Sequence, residues 1–300
     1  MKRCWIFLSI VVGGFTFAKA QGCSDAGFCS AGSMKSGGSQ LQSDITLSLP
    51  FALGEQLASI FIINPELNYK IGEKQKVQIK LAYQFVSGNL GQTQGLGDPI
   101  VTYSRIIKEK KGWITVANIG ARIAVNDANK KSENNRPFPM PYQTSLGTHD
   151  LIAGFALKND HWNFALGYQQ PLIQNNNNEF YHDMNSTDKE LKYFESRRLM
   201  RKGDIMLRAE RTEEWNKLKI TAGFLPIFHL GKDKVSSAIG DVNVPNSEGL
   251  TLNINFNVNY TIKEKMNFGF IGASPLVVRE NRPDGLTRAF VASPYFVFKF

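Results

Sequence analysis

The stretch 250–262 reads LTLNINFNVNYTI, and its alternation does not slip once. Leu250, Leu252, Ile254, Phe256, Val258, Tyr260 and Ile262 take one parity; Thr251, Asn253, Asn255, Asn257, Asn259 and Thr261 take the other. Successive side chains of an extended chain point to opposite faces, so this is a β-strand with one apolar and one amide-rich face. At ~3.3 Å per residue it reaches roughly 43 Å, well beyond an ordinary strand of five or six residues. A strand so long and so two-sided suits the wall of a membrane barrel, apolar side to lipid and polar side inward. Standing alone, it would better suit a soluble sandwich with its polar face in water.

The connections decide between the two. Alternating stretches are expected at 45–51, 63–71, 77–85, 98–107, 113–124, 151–157, 162–168, 204–211, 218–230, 250–262, 267–274 and 289–300, twelve in all. Tight charged turns follow the even-numbered strands, at 72–75, 108–112, 158–161, 212–217 and 263–265. Longer loops follow the third, fifth, seventh, ninth and eleventh, at 87–97, 126–147, 173–203, 231–249 and 277–287. A sandwich has no reason to sort its loops by parity. An all-β, up-and-down antiparallel transmembrane β-barrel does, with short periplasmic turns, long external loops and an even strand count. Closure also removes the exposed edges that such strands would present. The barrel is expected over 44–300.

The N-terminus supports export. Lys2 and Arg3 precede an apolar run and then Ala18-Lys19-Ala20, the pattern of a secretory signal peptide, 1–20, cleaved after Ala20. A lipoprotein signal at Cys23 is the weaker alternative. Loss of Lys2, Arg3 and Lys19 takes the formal charge from +9 to +6. No other stretch approaches the 18 or so apolar residues of a spanning helix, which leaves a soluble exported protein or a barrel of the outer membrane. An exported chain with scattered positive charge has no nucleic-acid partner to expect. Residues 21–43 are Gly-, Ser- and Gln-rich without periodicity, a flexible segment and a candidate plug for the lumen. Within it, Cys23 and Cys29 are expected to form a disulfide in an oxidising compartment, with metal binding or redox work as the lesser alternative.

Three of the four tryptophans, Trp113, Trp162 and Trp215, lie at or beside short turns, as an aromatic girdle at the periplasmic interface requires. Phe296, Phe298 and Phe300 share one parity at the C-terminus, and such a terminus resembles the signal read by the outer-membrane insertion machinery. Pro294 lacks a ladder amide and is expected at a bulge near the rim.

From residue 95 onward, Gly95-Leu96-Gly97-Asp98 opens a strand and Leu146-Gly147-Thr148-His149-Asp150 follows a long loop. With the aromatic terminus, these stretches make the sequence resemble the outer-membrane barrels associated with phenol and aromatic-hydrocarbon degradation, in style distant relatives of the long-chain fatty acid channel. Where that family usually has Pro-x-Gly, this chain has Ala124-Val125-Asn126-Asp127. The resemblance implies a transporter for small hydrophobic or aromatic molecules.

No G-x-S-x-G or H-E-x-x-H motif occurs, so neither a catalytic set, a metal site nor a cofactor is expected. His161 falls in a turn and His182 in a loop; His149 and Asp150 should face opposite ways, and His229 has the polar parity near the outer rim. A lipase-type barrel enzyme is the least favoured reading. The polar parity instead predicts a lumen lined by Gln78, Lys80, Gln84, Asn118, Arg122, Asn163, Gln169, Arg208, Glu210 and Lys219, together with Asn253, Asn255, Asn257 and Asn259. Such a lining fits a passive, porin-like channel for a small polar or anionic solute, or a filled barrel with a structural or surface-binding role. Arg197, Arg198, Arg201 and Lys202 cluster at the end of the longest loop, where contact with lipopolysaccharide phosphates or plain solvation is expected.

Overall fold

The computed structural model describes residues 31–34, 41–286 and 288–300. The expected leader 1–20, Cys23 and Cys29 lie outside the described residues; of 21–43, only 31–34 and 41–43 lie within them. From residue 44 the chain forms a closed antiparallel barrel of twelve staves. The first stave is made by β1 (Asp44–Ser48) and β2 (Phe51–Leu53), and the second by β3 (Ser59–Gly72). The third joins β4 (Gln75–Lys80) to β5 (Tyr83–Gly88); the fourth joins β6 (Gly91–Leu96) to β7 (Ile100–Lys110). Single strands follow: β8 (Trp113–Arg122), β9 (Thr148–Lys158), β10 (Trp162–Gln174), β11 (Asp204–Trp215) and β12 (Leu218–His229). After a separate hairpin of β13 (Lys234–Ser237) and β14 (Gly240–Asn243), β15 (Gly249–Lys263), β16 (Met266–Val277) and β17 (Phe290–Lys299) complete the wall. Pairing of β17 with β1 closes it.

Burial runs opposite to that of a soluble protein. Along β10, Leu166 is 48% exposed while Asn163 is 4% exposed. The apolar parity of each stave therefore faces outward, toward lipid, and the polar parity faces in. Trp113, Trp162 and Trp215 stand on the outward parity at the short turns, opposite Lys110, Arg211 and Leu218.

Four local features depart from the sequence expectation. Pro294 lies well inside β17 rather than at the rim. Its carbonyl accepts the Leu49 amide at 2.9 Å, opposite the break between β1 and β2 at Leu49 and Pro50. Proline supplies no ladder amide, and the two prolines share a single interruption of the first stave. The 77–85 stretch is likewise not continuous. At Leu81 the amide bonds Pro65 O (3.0 Å), and Gly97 N bonds Ala82 O (2.7 Å), so the third and fourth staves jog together. Beyond the jog, most of the expected 87–97 loop is strand: β5 pairs with β6 from Tyr83↔Leu96 to Gly88↔Gly91. Its glycines and glutamines concealed a hairpin. The expected loop 231–249 also contains a hairpin, β13–β14.

The external loops fold onto the barrel mouth. In the 126–147 loop, the short 3-10 turn Met140–Tyr142 is buried. Phe138 and Tyr142 stack at 5.1 Å, Tyr193 meets Tyr142 edge-on at 5.8 Å, and both pack with Ile60, Ile62 and Val86 of the upper wall.

Candidate functional site

The barrel interior is the candidate site, because strand parity turns the polar side chains of every stave into it. Gln78, Asn118, Arg122, Asn163, Gln169, Arg208, Glu210, Asn253 and Asn255 are buried there. Lys80, Gln84, Lys219, Asn257 and Asn259 share the inward parity and are half-buried. They do not converge on one pocket. They form tiers along the height of the barrel, joined by residues that the sequence reading had not singled out.

At the short-turn end, Asn68 donates to Asp44 Oδ1 (2.9 Å) and Glu66 Oε1 (2.7 Å). Nearby, the Tyr295 hydroxyl donates to Asn257 Oδ1 (2.8 Å) and accepts from Asn259 Nδ2 (3.0 Å). The Tyr295 ring lies over Gly269, its register partner, where any Cβ would overlap it. Lys219 pairs with Glu214 at 2.9 Å across the same end of β11 and β12.

In the middle tier, Glu210 accepts Asn163 Nδ2 (2.8 Å) and Asn255 Nδ2 (2.6 Å) and pairs with Arg208. Glu210 reaches Asn255 across β12 because the intervening register position is Gly223, where a Cβ would stand 2.8 Å from Glu210 Cγ. On the other side of the lumen, Thr102 Oγ1 donates to Gln78 Oε1 (3.2 Å) and Ser104 Oγ to Asn118 Oδ1 (2.7 Å). The 3-10 turn Gly32–Met34 sits among these groups. Gly32 N donates to Gln78 Oε1 (2.6 Å), and Met34 is fully buried against Gly154. Gly32 adopts φ +56°, and a Cβ there would lie 2.7 Å from Asn118 Oδ1, so both backbone and space require glycine.

At the loop end, a buried ion network ties three external loops to the wall. Asp150 accepts from Arg122 and Gln169 on the two neighbouring strands. Arg201, in the loop before β11, lies 3.1 Å from Asp204, 3.5 Å from Asp284 and 4.0 Å from Asp150. Arg279 lies 2.9 Å from Asp284 and 4.0 Å from Asp233. His229 bridges Asp204 (2.7 Å) and Asp233 (2.8 Å). Buried charge is costly unless compensated, and here each cation faces carboxylates. Burial pushes the Asp284 carboxyl up, but Arg279 and Arg201 outweigh it and hold the group well below the usual carboxylate range. Outside this network, burial pushes Glu55 up to about 7 against the pull of Arg282, 3.4 Å away.

This network divides the basic cluster expected to face lipopolysaccharide. Arg201 is drawn inward by Asp150, Asp204 and Asp284 and is 2% exposed. Arg197 instead covers the Tyr181 ring at 5.0 Å, while Arg198 and Lys202 remain exposed. The two stretches that carry the family resemblance also meet: Asp98 accepts the Leu146 amide (3.0 Å) and the Val125 amide (3.2 Å). Beside them lies a cavity of about 60 Å³, room for a few waters, bordered by Lys80, Asp98, Arg122, Met140, Leu146 and Arg288.

No protein-family model matches the sequence, and no curated protein does. Solved structures do resemble it. The COG4313 outer membrane channel from Pseudomonas putida F1 is 12% identical, with 87% of this chain and 96% of that chain covered and a TM-score of 0.54. The NanC porin is 10% identical over 86% of this chain and all of its own, at 0.47. The KdgM porin is 8% identical over 86% and 99%, at 0.44. At these identities the likeness is one of fold, that of an outer-membrane β-barrel.

Proposed function

We propose that the chain is a passive channel of the outer membrane for small molecules, held shut in the conformation described above. The carrying observation is a set of polar tiers reaching from the short-turn end to the loop end of a complete wall, with apolar side chains such as Ile152 and Met206 between them. Its loop end is stopped by side chains from separate loops, held through ion pairs. Arg201, Asp233, Arg279 and Asp284 belong to those loops, so the stopper can leave while the ladder stays closed. On this reading the 21–43 segment is a second stopper, inserted at Gly32–Met34.

The resemblance to aromatic-degradation barrels supports a hydrophobic or aromatic solute, and the lining supports an anionic one. The border of the cavity beneath the 126–147 loop carries both characters, setting Met140 and Leu146 beside Arg122 and Arg288. A small aromatic acid is the solute of choice. Arg198 and Lys202 are left to meet lipopolysaccharide, and Phe300 to engage the insertion machinery. Liposome swelling with benzoate and with a neutral sugar of similar size tests the reading. Deletion of 21–43 combined with Arg201→Ala should raise benzoate entry several-fold and sugar entry less. A structural or surface-binding barrel, the second reading, is favoured by the smallness of the cavity and predicts no entry from either chain.

A further inference from the structure

The net charge of the chain is concentrated at one end of the barrel. Residues 41–44, 70–76, 105–111, 158–161, 211–219, 263–265 and 299–300 make up the short-turn rim and hold fourteen basic and seven acidic residues. The remainder of the chain from 45 onward holds seventeen basic and eighteen acidic ones. The loop end and wall are thus close to neutral, and the excess lies on the periplasmic side.

Part of that excess faces lipid. Lys110 is the register partner of Trp113, and Arg211 that of Trp162, whose ring centre lies 5.5 Å from the guanidinium. Arg105 and Lys108 are exposed on the same outward parity of β7. Lys74, Lys111, Lys217 and Lys265 are exposed at the turn tips just beyond. Tryptophans of a barrel sit at headgroup level, and long cationic side chains next to them extend along the apolar surface to reach the phosphates. A soluble acidic partner would meet the turn tips alone and would leave the cations beside the tryptophans unused.

We infer that the short-turn rim is a binding surface for anionic phospholipid headgroups of the periplasmic leaflet. Basic clusters next to a membrane draw anionic lipid over about a Debye length, so the preference should weaken with salt.

The test is lipid retention. The full chain, purified in mild detergent, is incubated with equal phosphatidylglycerol and phosphatidylethanolamine, and the lipid that copurifies is quantified by mass spectrometry. The expected result is a several-fold preference for phosphatidylglycerol, halved or more by K108Q/K110Q/K111Q and untouched by K130Q/K131Q on an external loop. A heat-modifiable gel shift shows whether each variant is folded; should the rim variant not fold, the decline of the wild-type preference with rising salt is the deciding readout. Equal retention by the wild type overturns the inference, as does a preference indifferent to both salt and the rim substitutions. Loss of the preference in millimolar free phosphate would assign the rim to soluble anions instead and would also overturn it.

Discussion

At the scale of single residues, the interior is shaped as much by missing side chains as by those present. Gly269 makes room for the Tyr295 ring, and Gly223 lets Glu210 reach Asn255. Gly269→Val should evict Tyr295 and break its bonds to Asn257 and Asn259, costing about 2–3 kcal/mol. Urea unfolding of the purified barrel checks this, and an unchanged midpoint would rule it out. Glu55 gives a pH signature. Its folded pKa of about 7 lies above the ordinary 4.5, so the folded chain binds this proton more tightly than the unfolded one. The group's contribution to stability is therefore greatest below pH 4.5, falls as pH rises to 7 and is flat beyond, by up to about 3 kcal/mol. Glu55→Gln should remove that slope from thermal melts between pH 4.5 and 8; a slope that persists would point to another group.

Among the elements, the wall and the loops obey different rules. A lipid-facing position at mid-height of the wall, unlike one at the rim, does not tolerate charge: Leu166→Arg near the middle of β10 should cost about 2–4 kcal/mol. The loop stopper depends on compensation, and Arg201→Ala leaves Asp204 and Asp284 buried without their shared cation, a loss of about 3–5 kcal/mol. Hydrogen exchange should find the 278–286 backbone opening faster in that variant, whereas unchanged protection would show that the stopper does not rely on Arg201. This contrast explains what could be read in advance. Strand period and loop parity revealed the staves and their count, because a period of two survives in any single strand. The hairpin β5–β6 was hidden because Gly91, Gly95, Gln92 and Gln94 carry no apolar alternation. Asp233, Arg279 and Asp284 were hidden because loops have no period. Arg201 looked like part of a solvated run until the fold set it among three aspartates. Asp150 and Asp204 could have been found, since each carries inward parity at a strand end.

For the whole molecule, the outward face is apolar, the interior holds hydrogen-bonded polar tiers interleaved with a buried apolar cluster that includes Met34, Ile152, Met206 and Leu225, and the two ends differ in charge. Such a barrel is expected to keep its fold without its stoppers, because its ladder closes on itself through β17 and β1 and its outward apolar face is covered by lipid. Closure and fold are therefore separable, and that separability is what distinguishes a shut channel from a filled structural cylinder. Single-channel conductance in planar bilayers, comparing the full chain with one lacking 21–43 and carrying Arg201→Ala, tests this most directly. A shut channel predicts rare, small openings for the full chain and a conductance several-fold larger and longer-lived for the variant, both proteins showing the same heat-modifiable gel shift. A correctly folded variant that conducts no better than the full chain would contradict it.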